Sequence, residues 1–177
     1  MRQYNQQVDE WLRVPVEQDT PFSGPVLPPS GTASGSPVIC MWDGATQHGS
    51  HSARGVVLMT RGRDTLMARG GQFPCIDDPV VVEVLALREA VWWCLENGFT
   101  EVCFEGDAKV IIDKIIRAEI GDTRMGAILE EIVSCFALHP GFSVWFVGRR
   151  NNRVAHMVAR QALSLSPTAG RLFDFQT

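Results

Sequence analysis

Residues 80–107 read VVVEVLALREAVWWCLENGFTEVCFEGD, and this stretch predicts a helix, a turn and a strand that ends in an acid. Apolar residues recur at helical spacing through its first half: Val84, Leu87, Val91, Cys94 and Leu95. Gly98 is a typical helix stop because glycine readily adopts the left-handed conformation beyond the last turn. The alternation over residues 101–105 predicts a short strand. Two carboxylates therefore frame the stretch, Glu83 in the first turn of the helix and Asp107 at the end of the strand.

The pattern on either side extends this unit into an α/β fold. Further strands are predicted at residues 38–42, 53–60, 64–70 and 142–147, and further helices from 107 to about 118, from 123 to about 136 and from 152 to about 162. The turn at residues 61–63 makes the second and third strands a hairpin. The element order β-β-β-α-β-α-α-β-α predicts a five-stranded mixed sheet, with a three-stranded antiparallel part, parallel strands and helices on both faces.

Composition divides the 177 residues into one domain and two flanking segments. Residues 1–36 are rich in proline and glycine and are predicted to be a linker or tail. Residues 37–165 have the mixed apolar pattern of a folded domain, and residues 166–177 are predicted to be a C-terminal tail.

The global composition favours an intracellular protein. No apolar run approaches the length of a membrane span, and the N-terminus lacks the apolar core of a signal peptide. The five cysteines show no metal-binding spacing and are predicted to be reduced thiols. A net charge of −4 argues against a protein that coats nucleic acid by bulk charge. We expect a monomer in the nucleus or cytoplasm that does not bind membranes.

Three acids are predicted to meet at one edge of the sheet. Asp43 follows the first apolar run, as Asp107 follows a later one. If the two strands are parallel neighbours, both carboxylates lie at their carboxyl ends, with the first turn of the Glu83 helix above them. Carboxylates so close repel one another unless a cation is present, and hard oxygen ligands favour Mg²⁺ or Mn²⁺. Two such ions can activate water and stabilise the leaving oxygen of a phosphodiester.

The chain resembles a known family through four motifs in order. They are Asp43-Gly44-Ala45, Glu83 within VEVLALREA, Glu105-Gly106-Asp107, and the run from Arg149 to His156, RRNNRVAH. This arrangement is similar to the plant ribonuclease H-like domain, of the type 1 ribonuclease H family, found at the C-terminus of non-LTR retroelement reverse transcriptases and in free-standing plant proteins.

The resemblance implies cleavage of the RNA strand of an RNA–DNA hybrid with Mg²⁺. Asp43, Glu83 and Asp107 match the first three acidic ligands of the family. His156 stands where the type 1 enzymes have a fourth, acidic ligand, and a neutral imidazole supplies no negative charge to a second metal. The arginine-rich segment before the last helix is predicted to contact nucleic acid through Arg149, Arg150, Asn152 and Arg153.

Simpler structural roles remain open for each site residue. Asp43 before Gly44 suits a turn, Glu83 suits the positive end of a helix dipole and Asp107 suits a helix N-cap. His156 is equally compatible with a partly exposed structural histidine. The alternative to a hydrolase is a catalytically weak or inactive nucleic-acid-binding or protein-interaction module of the same fold. A third alternative is a retroelement relic without selected activity.

Overall fold

The computed structural model describes residues 37–47, 51–73, 76–121, 123–164 and 173–176. These residues all fall within one compact unit, Thr32–Thr177. The linker or tail predicted at residues 1–36 lies outside the described residues.

Six strands and four helices make up the described part of the chain. The strands are β1 (Val38–Thr46), β2 (Ser52–Met59), β3 (Thr65–Phe73), β4 (Val102–Gly106), β5 (Phe142–Phe146) and β6 (Phe173–Gln176). The helices are α1 (Pro79–Glu96), α2 (Lys109–Arg117), α3 (Arg124–Leu138) and α4 (Arg153–Leu163). None of these helices is long and apolar enough to cross a membrane.

The strands form one mixed sheet in the order β5-β4-β1-β2-β3-β6. β1, β2 and β3 are antiparallel neighbours, whereas β4 pairs in parallel with both β1 and β5. The predicted α/β class and the five-stranded mixed arrangement are therefore confirmed. β6 is an addition, since it pairs antiparallel with β3 and draws residues 173–176, predicted to be part of a tail, into the sheet.

Local capping interactions define both ends of helix α1. The Asp78 carboxylate accepts a hydrogen bond from the backbone N–H of Val80, and Pro79 occupies the first helical position, where its missing N–H has no cost. After Asn97 the chain reverses at Gly98, whose φ of +73° lies in the left-handed region. The predicted stop is thus the observed one.

The two faces of the sheet are covered by different helices. On one face, α1 packs against β1 and β2, and α3 packs against α1. On the other face, α4 packs against β1, β2 and β3. Gly55 of β2 permits this second contact, because a Cβ there would collide with the backbone of Ala155 and Ala159. Small residues on both sides let helix and strand backbones approach closely.

β1 is longer than its apolar run suggested. The predicted strand ended at Trp42, but β1 continues through Asp43 to Thr46. Pairing with β2 explains the extension, because the antiparallel register runs as far as Thr46 opposite Ser52. Asp43 is therefore held in a regular strand and is not the turn residue that its Gly44 neighbour allowed.

Candidate metal centre

Three acids from three different elements meet at one edge of the sheet. Asp43 lies in β1, Glu83 in the first half of α1, and Asp107 directly after β4. One carboxylate oxygen from each side chain lies within 4.8 Å of the other two. The structure thus brings together the three residues predicted as metal ligands.

The parallel pairing of β1 with β4 brings the two aspartates together. The last paired residues are Met41 and Glu105, and each aspartate lies two positions farther along its strand direction. Because side chains alternate, both aspartates project from the same face as that pair. β1 and β4 therefore present two carboxylates side by side at their carboxyl ends.

Glu83 reaches the aspartates because α1 packs tightly on β1 at Gly44. The backbone N–H of Gly44 donates a hydrogen bond of 3.1 Å to Glu83 Oε2. A Cβ at position 44 would stand 2.9 Å from Val82 Cγ1 and 3.0 Å from the backbone nitrogen of Glu83. A side chain there would push the helix away, so the glycine both admits the helix and supplies a donor to the acid.

Burial and mutual repulsion oppose ionisation of this cluster. Burial raises the pKa of Asp43 to about 6, with the negative charge of Asp107 adding to the rise and a hydrogen bond from His156 opposing it. Burial likewise raises the pKa of Glu83 to about 8, and the charges of Asp43 and Asp107 add to it. The Gly44 N–H and the positive charge of Arg149 oppose the rise in the pKa of Glu83. A divalent cation would relieve this repulsion, and an all-oxygen donor set fits a hard ion.

Asn152 fixes the carboxylate of Asp107 by a hydrogen bond. Its amide nitrogen donates to Asp107 Oδ1 at 2.8 Å and to the backbone carbonyl of Trp42 at 2.9 Å. The residue is 0% exposed. The prediction that Asn152 contacts nucleic acid therefore does not match its position, because the side chain is buried between β1 and Asp107. It occupies the N-cap position of α4, but its side chain makes no capping hydrogen bond.

Asp107 is not the helix cap that its position allowed. The N-cap of α2 is Ala108, which has no side chain able to accept a hydrogen bond. Asp107 instead presents its carboxylate to the cluster, with one oxygen held by Asn152. The simple structural explanation for this acid is thereby removed.

His156 lies beside the cluster and contacts one of its acids. Its Nδ1 is 2.9 Å from Asp43 Oδ2, while the imidazole side chain is 32% exposed. The geometry places the ring against Asp43 through Nδ1. This contact orients the carboxylate of Asp43, as a hydrogen-bond partner commonly orients a metal ligand.

The arginine-rich segment lies at the surface next to the cluster. Arg149, Arg150 and Arg153 are all exposed, between the end of β5 and the first turn of α4. Arg149 is near enough for its charge to act on the pKa of Glu83. These three side chains are thus accessible to a ligand at this edge, whereas Asn152 is not, and their contact with nucleic acid stays a prediction.

Two supporting residues escaped the sequence analysis. The hydrogen bond from Gly44 was missed because a glycine after an aspartate reads as a turn. The positioning role of Asn152 was missed because it depends on two partners distant in sequence, Trp42 and Asp107. The sequence offered two weak local signals: an asparagine at the start of a helix and a glycine within a strand.

Comparison with known proteins agrees with this architecture. The model of a family described as reverse transcriptase-like matches residues 41–162. No curated protein sequence matches the chain. The matched segment contains every residue of the acidic cluster and both of its supporting residues.

Three of the solved structures with the same fold are ribonucleases H. Ribonuclease H1 from Halobacterium salinarum NRC-1 superposes with a TM-score of 0.60 and 24% identity, over 72% of this chain and 97% of that one. LC11 ribonuclease H1, solved with an RNA/DNA hybrid, gives a TM-score of 0.63 and 18% identity, over 72% and 99% of the two chains. An N-terminal ribonuclease H domain from Mycobacterium tuberculosis gives 0.62 and 17%, over 73% and 94%. At these identities the likeness shows the ribonuclease H fold.

Proposed function

Because the chain belongs to the reverse transcriptase-like family, whose match covers residues 41–162, we propose that it is a metal-dependent endonuclease that hydrolyses the RNA strand of RNA–DNA hybrids. The observation that carries the proposal is the cluster of Asp43, Glu83 and Asp107, with oxygens from three elements within 4.8 Å of one another. The solved relative LC11 ribonuclease H1 was crystallised with such a hybrid, which supports the substrate class.

The three acids would hold Mg²⁺, or Mn²⁺ in its place. Bound there, the metal would activate a water molecule and stabilise the leaving oxygen of the phosphodiester. The protein's own contribution is to fix the ligands: Gly44 orients Glu83, Asn152 orients Asp107 and His156 orients Asp43. Ligands that are already in place do not have to be ordered when the substrate binds.

Nucleic acid would be drawn to this edge by the exposed arginines. Arg149, Arg150 and Arg153 present guanidinium groups beside the cluster, where they can contact phosphate oxygens of the backbone. Such contacts position a strand without reading its sequence. They also compensate locally for the overall charge of −4.

A second candidate is a catalytically weak or inactive nucleic-acid-binding module. The specific observation in its favour is His156, which takes the place of the family's fourth acid and contacts Asp43. A neutral imidazole there would leave a second cation with fewer anionic ligands. A module of this kind would bind a hybrid in the absence of divalent metal and would tolerate loss of Asp107.

Cleavage of a labelled hybrid separates the two candidates. The purified protein is incubated with an RNA–DNA hybrid in Mg²⁺, in Mn²⁺ and in EDTA, beside Asp107→Asn. A matched control is Asp113→Asn, because Asp113 lies in α2 and pairs with Lys109 at the surface. We expect cleavage in Mg²⁺ or Mn²⁺ that is lost in EDTA and in Asp107→Asn but kept in Asp113→Asn. A folded protein that cleaves in neither metal would contradict the enzyme and support the module.

Three properties stay predictions from the sequence. They are an origin in a plant non-LTR retroelement, a monomeric state, and a location in the nucleus or cytoplasm.

A further inference from the structure

Trp145 is an exposed aromatic residue on a strand that leads to the acidic cluster. It is 60% exposed although it lies within β5, next to Glu105 of β4. Because side chains alternate along a strand, Trp145 shares a face with Ser143, and Glu105 shares the same face with Cys103. We call these four residues the β4–β5 face.

The β4–β5 face continues directly into the acidic cluster. Asp107 lies two positions beyond Glu105 and therefore projects from the same side of the sheet. The opposite side of both strands is closed, because Phe104 and Phe142 pack against Phe136 of α3. A ligand that extends sideways from the acids toward β5 would thus cross Trp145.

Two arginines from the turn between β2 and β3 border this face. Arg63 reaches over the sheet and binds Glu105 with both nitrogens, at 2.8 Å and 3.2 Å. The pair neutralises the carboxylate of the face, so it no longer repels a phosphate. Arg61 is exposed in the same turn, and the charges of Arg63 and Arg61 both reach the Cys103 thiol. The face is therefore aromatic at its centre and cationic at its margin.

The indole of Trp145 is oriented with its own polar group satisfied. Its Nε1–H donates a hydrogen bond of 3.3 Å to the hydroxyl of Ser143. What the side chain offers to a ligand is consequently its apolar ring surface.

We propose that the β4–β5 face binds an unpaired stretch of nucleic acid, with a base stacked on Trp145 and the backbone beside Arg61 and Arg63. The inference rests on the proposed function, because the unpaired stretch would be the continuation of a strand whose hybrid part lies at the acidic cluster. An aromatic platform beside a cationic margin is the combination by which proteins hold single strands irrespective of sequence. A protein ligand is less well matched, because the ring stands among Ser143, Cys103 and charged groups and not in a broad apolar patch.

The test measures the affinity that an unpaired extension adds to a hybrid. Binding is followed by fluorescence anisotropy in EDTA, which prevents metal-dependent cleavage. The probes are a blunt RNA–DNA hybrid, the same hybrid with an unpaired RNA extension at one end or the other, and the unpaired RNA alone. The proteins are the full chain, Trp145→Ala, Trp145→Phe and Trp92→Ala. Trp92 is a matched control, since it is an exposed tryptophan on α1, in the helical layer that covers the other side of the sheet.

We expect one of the two extended hybrids to bind about tenfold more tightly than the blunt hybrid. Trp145→Ala should abolish that gain, whereas Trp145→Phe and Trp92→Ala should keep most of it. An extension that adds no affinity would overturn the proposal. A gain that survives in Trp145→Ala would also overturn it.

The blunt hybrid reports separately on the proposed function. If it binds neither in EDTA nor in Mg²⁺, where Asp107→Asn prevents cleavage, but unpaired RNA binds through Trp145, the hybrid-cleaving function fails and the single-strand site stands. If it binds equally well to every variant and the extensions add nothing, the single-strand site fails and the hybrid-binding function stands.

Discussion

Buried and half-buried acids lie around this sheet in two different settings. Glu89 of α1 has Arg54 Nη2 at 3.2 Å and Arg69 Nη1 at 3.9 Å from one of its oxygens. Glu105 of β4 is held by both guanidinium nitrogens of Arg63. In each case the chain itself supplies the opposite charge, and the arginines of the first group also stack on the aromatic rings of Phe73 and Trp93.

The cluster of Asp43, Glu83 and Asp107 is the opposite case. Within the described ranges, no lysine or arginine forms an ion pair with any of the three, and the nearest basic partner is His156 beside Asp43. Their partners are instead neutral donors, the Gly44 N–H and the Asn152 amide. The chain orients these carboxylates without neutralising them.

Pairing with arginine thus distinguishes acids that stabilise the fold from acids that are free to bind a cation. An uncompensated cluster costs stability, and such a cost is typical of functional sites. In the Glu89 and Glu105 pairs arginines already balance the negative charges. Neither pair therefore attracts a further cation.

The largest effect should follow from removing a cluster acid. Asp43→Asn keeps the shape of the side chain but removes one anionic ligand, so we expect the rate of hybrid cleavage in Mg²⁺ to fall about 1000-fold, equivalent to about 4 kcal/mol. Cleavage is measured under single-turnover conditions, with thermal unfolding in EDTA as the check on folding. A variant that cleaves at the normal rate would show that Asp43 is not a ligand.

Removing a balanced acid should instead weaken the fold. Glu89→Ala leaves Arg54 and Arg69 without this carboxylate, and both arginine side chains are largely buried. We expect a loss of about 3 kcal/mol in the free energy of unfolding, measured in urea. Glu119→Ala is the control, because its pair with Arg117 is on the surface and should contribute less than about 1 kcal/mol. Equal effects of the two substitutions would refute the distinction between the two kinds of acid.

Loss of a supporting donor should weaken the site less than loss of an acid. Asn152→Ala removes the amide that orients Asp107, and we expect metal affinity or cleavage to fall about 10- to 100-fold. The Mg²⁺ concentration needed for half-maximal cleavage gives the measurement. Asn151→Ala is a close control, since Asn151 is the exposed neighbour in the same turn. An unchanged Mg²⁺ requirement in Asn152→Ala would rule out the positioning role.

We expect the smallest effect from Glu83→Gln, which should increase the free energy of unfolding of the metal-free protein. The pKa of Glu83 is about 8 in the folded protein and 4.5 in a reference peptide, so the folded state binds the proton more tightly. Without metal, folding stability should therefore fall as pH rises from about 5 to 8, and Glu83→Gln should flatten this slope. At pH 8 in EDTA we expect Glu83→Gln to be more stable than the wild type by on the order of 2 kcal/mol. Mg²⁺ should raise the stability of the wild type more than that of Glu83→Gln, and the opposite order of stabilities in EDTA would contradict an uncompensated Glu83.

Regular patterns made most of the fold predictable. The apolar stripe of α1 and its stop at Gly98 identified the helix, and the alternation before Asp107 identified β4. The short strand β6 was not predictable, because its residues, FDFQ, become a strand only by pairing with the edge of β3. The four residues alternate between apolar and polar, but so short a run does not distinguish a strand from a tail without its partner β3.

The acidic cluster was predictable because its members lie near the ends of apolar runs and near the start of a helix, although Asp43 is inside β1 and Glu83 lies beyond the first turn of α1, where it was predicted. Their partners were less so, since Asn152 lies 45 positions from Asp107 and His156 lies 113 positions from Asp43. Sequence spacing placed Asn152 among surface residues that contact nucleic acid, whereas tertiary packing buries it against β1. Residue type and local pattern thus predict which groups carry charge, but not which neutral groups orient them.

Anomalous diffraction from crystals soaked in Mn²⁺ would show whether the three acids hold a metal ion. We expect a peak within about 2.2 Å of oxygens from Asp43, Glu83 and Asp107, and no peak at Glu89 or Glu105, whose charges are already balanced. The absence of a peak among the three acids, or a peak at either arginine-paired glutamate instead, would refute the metal centre.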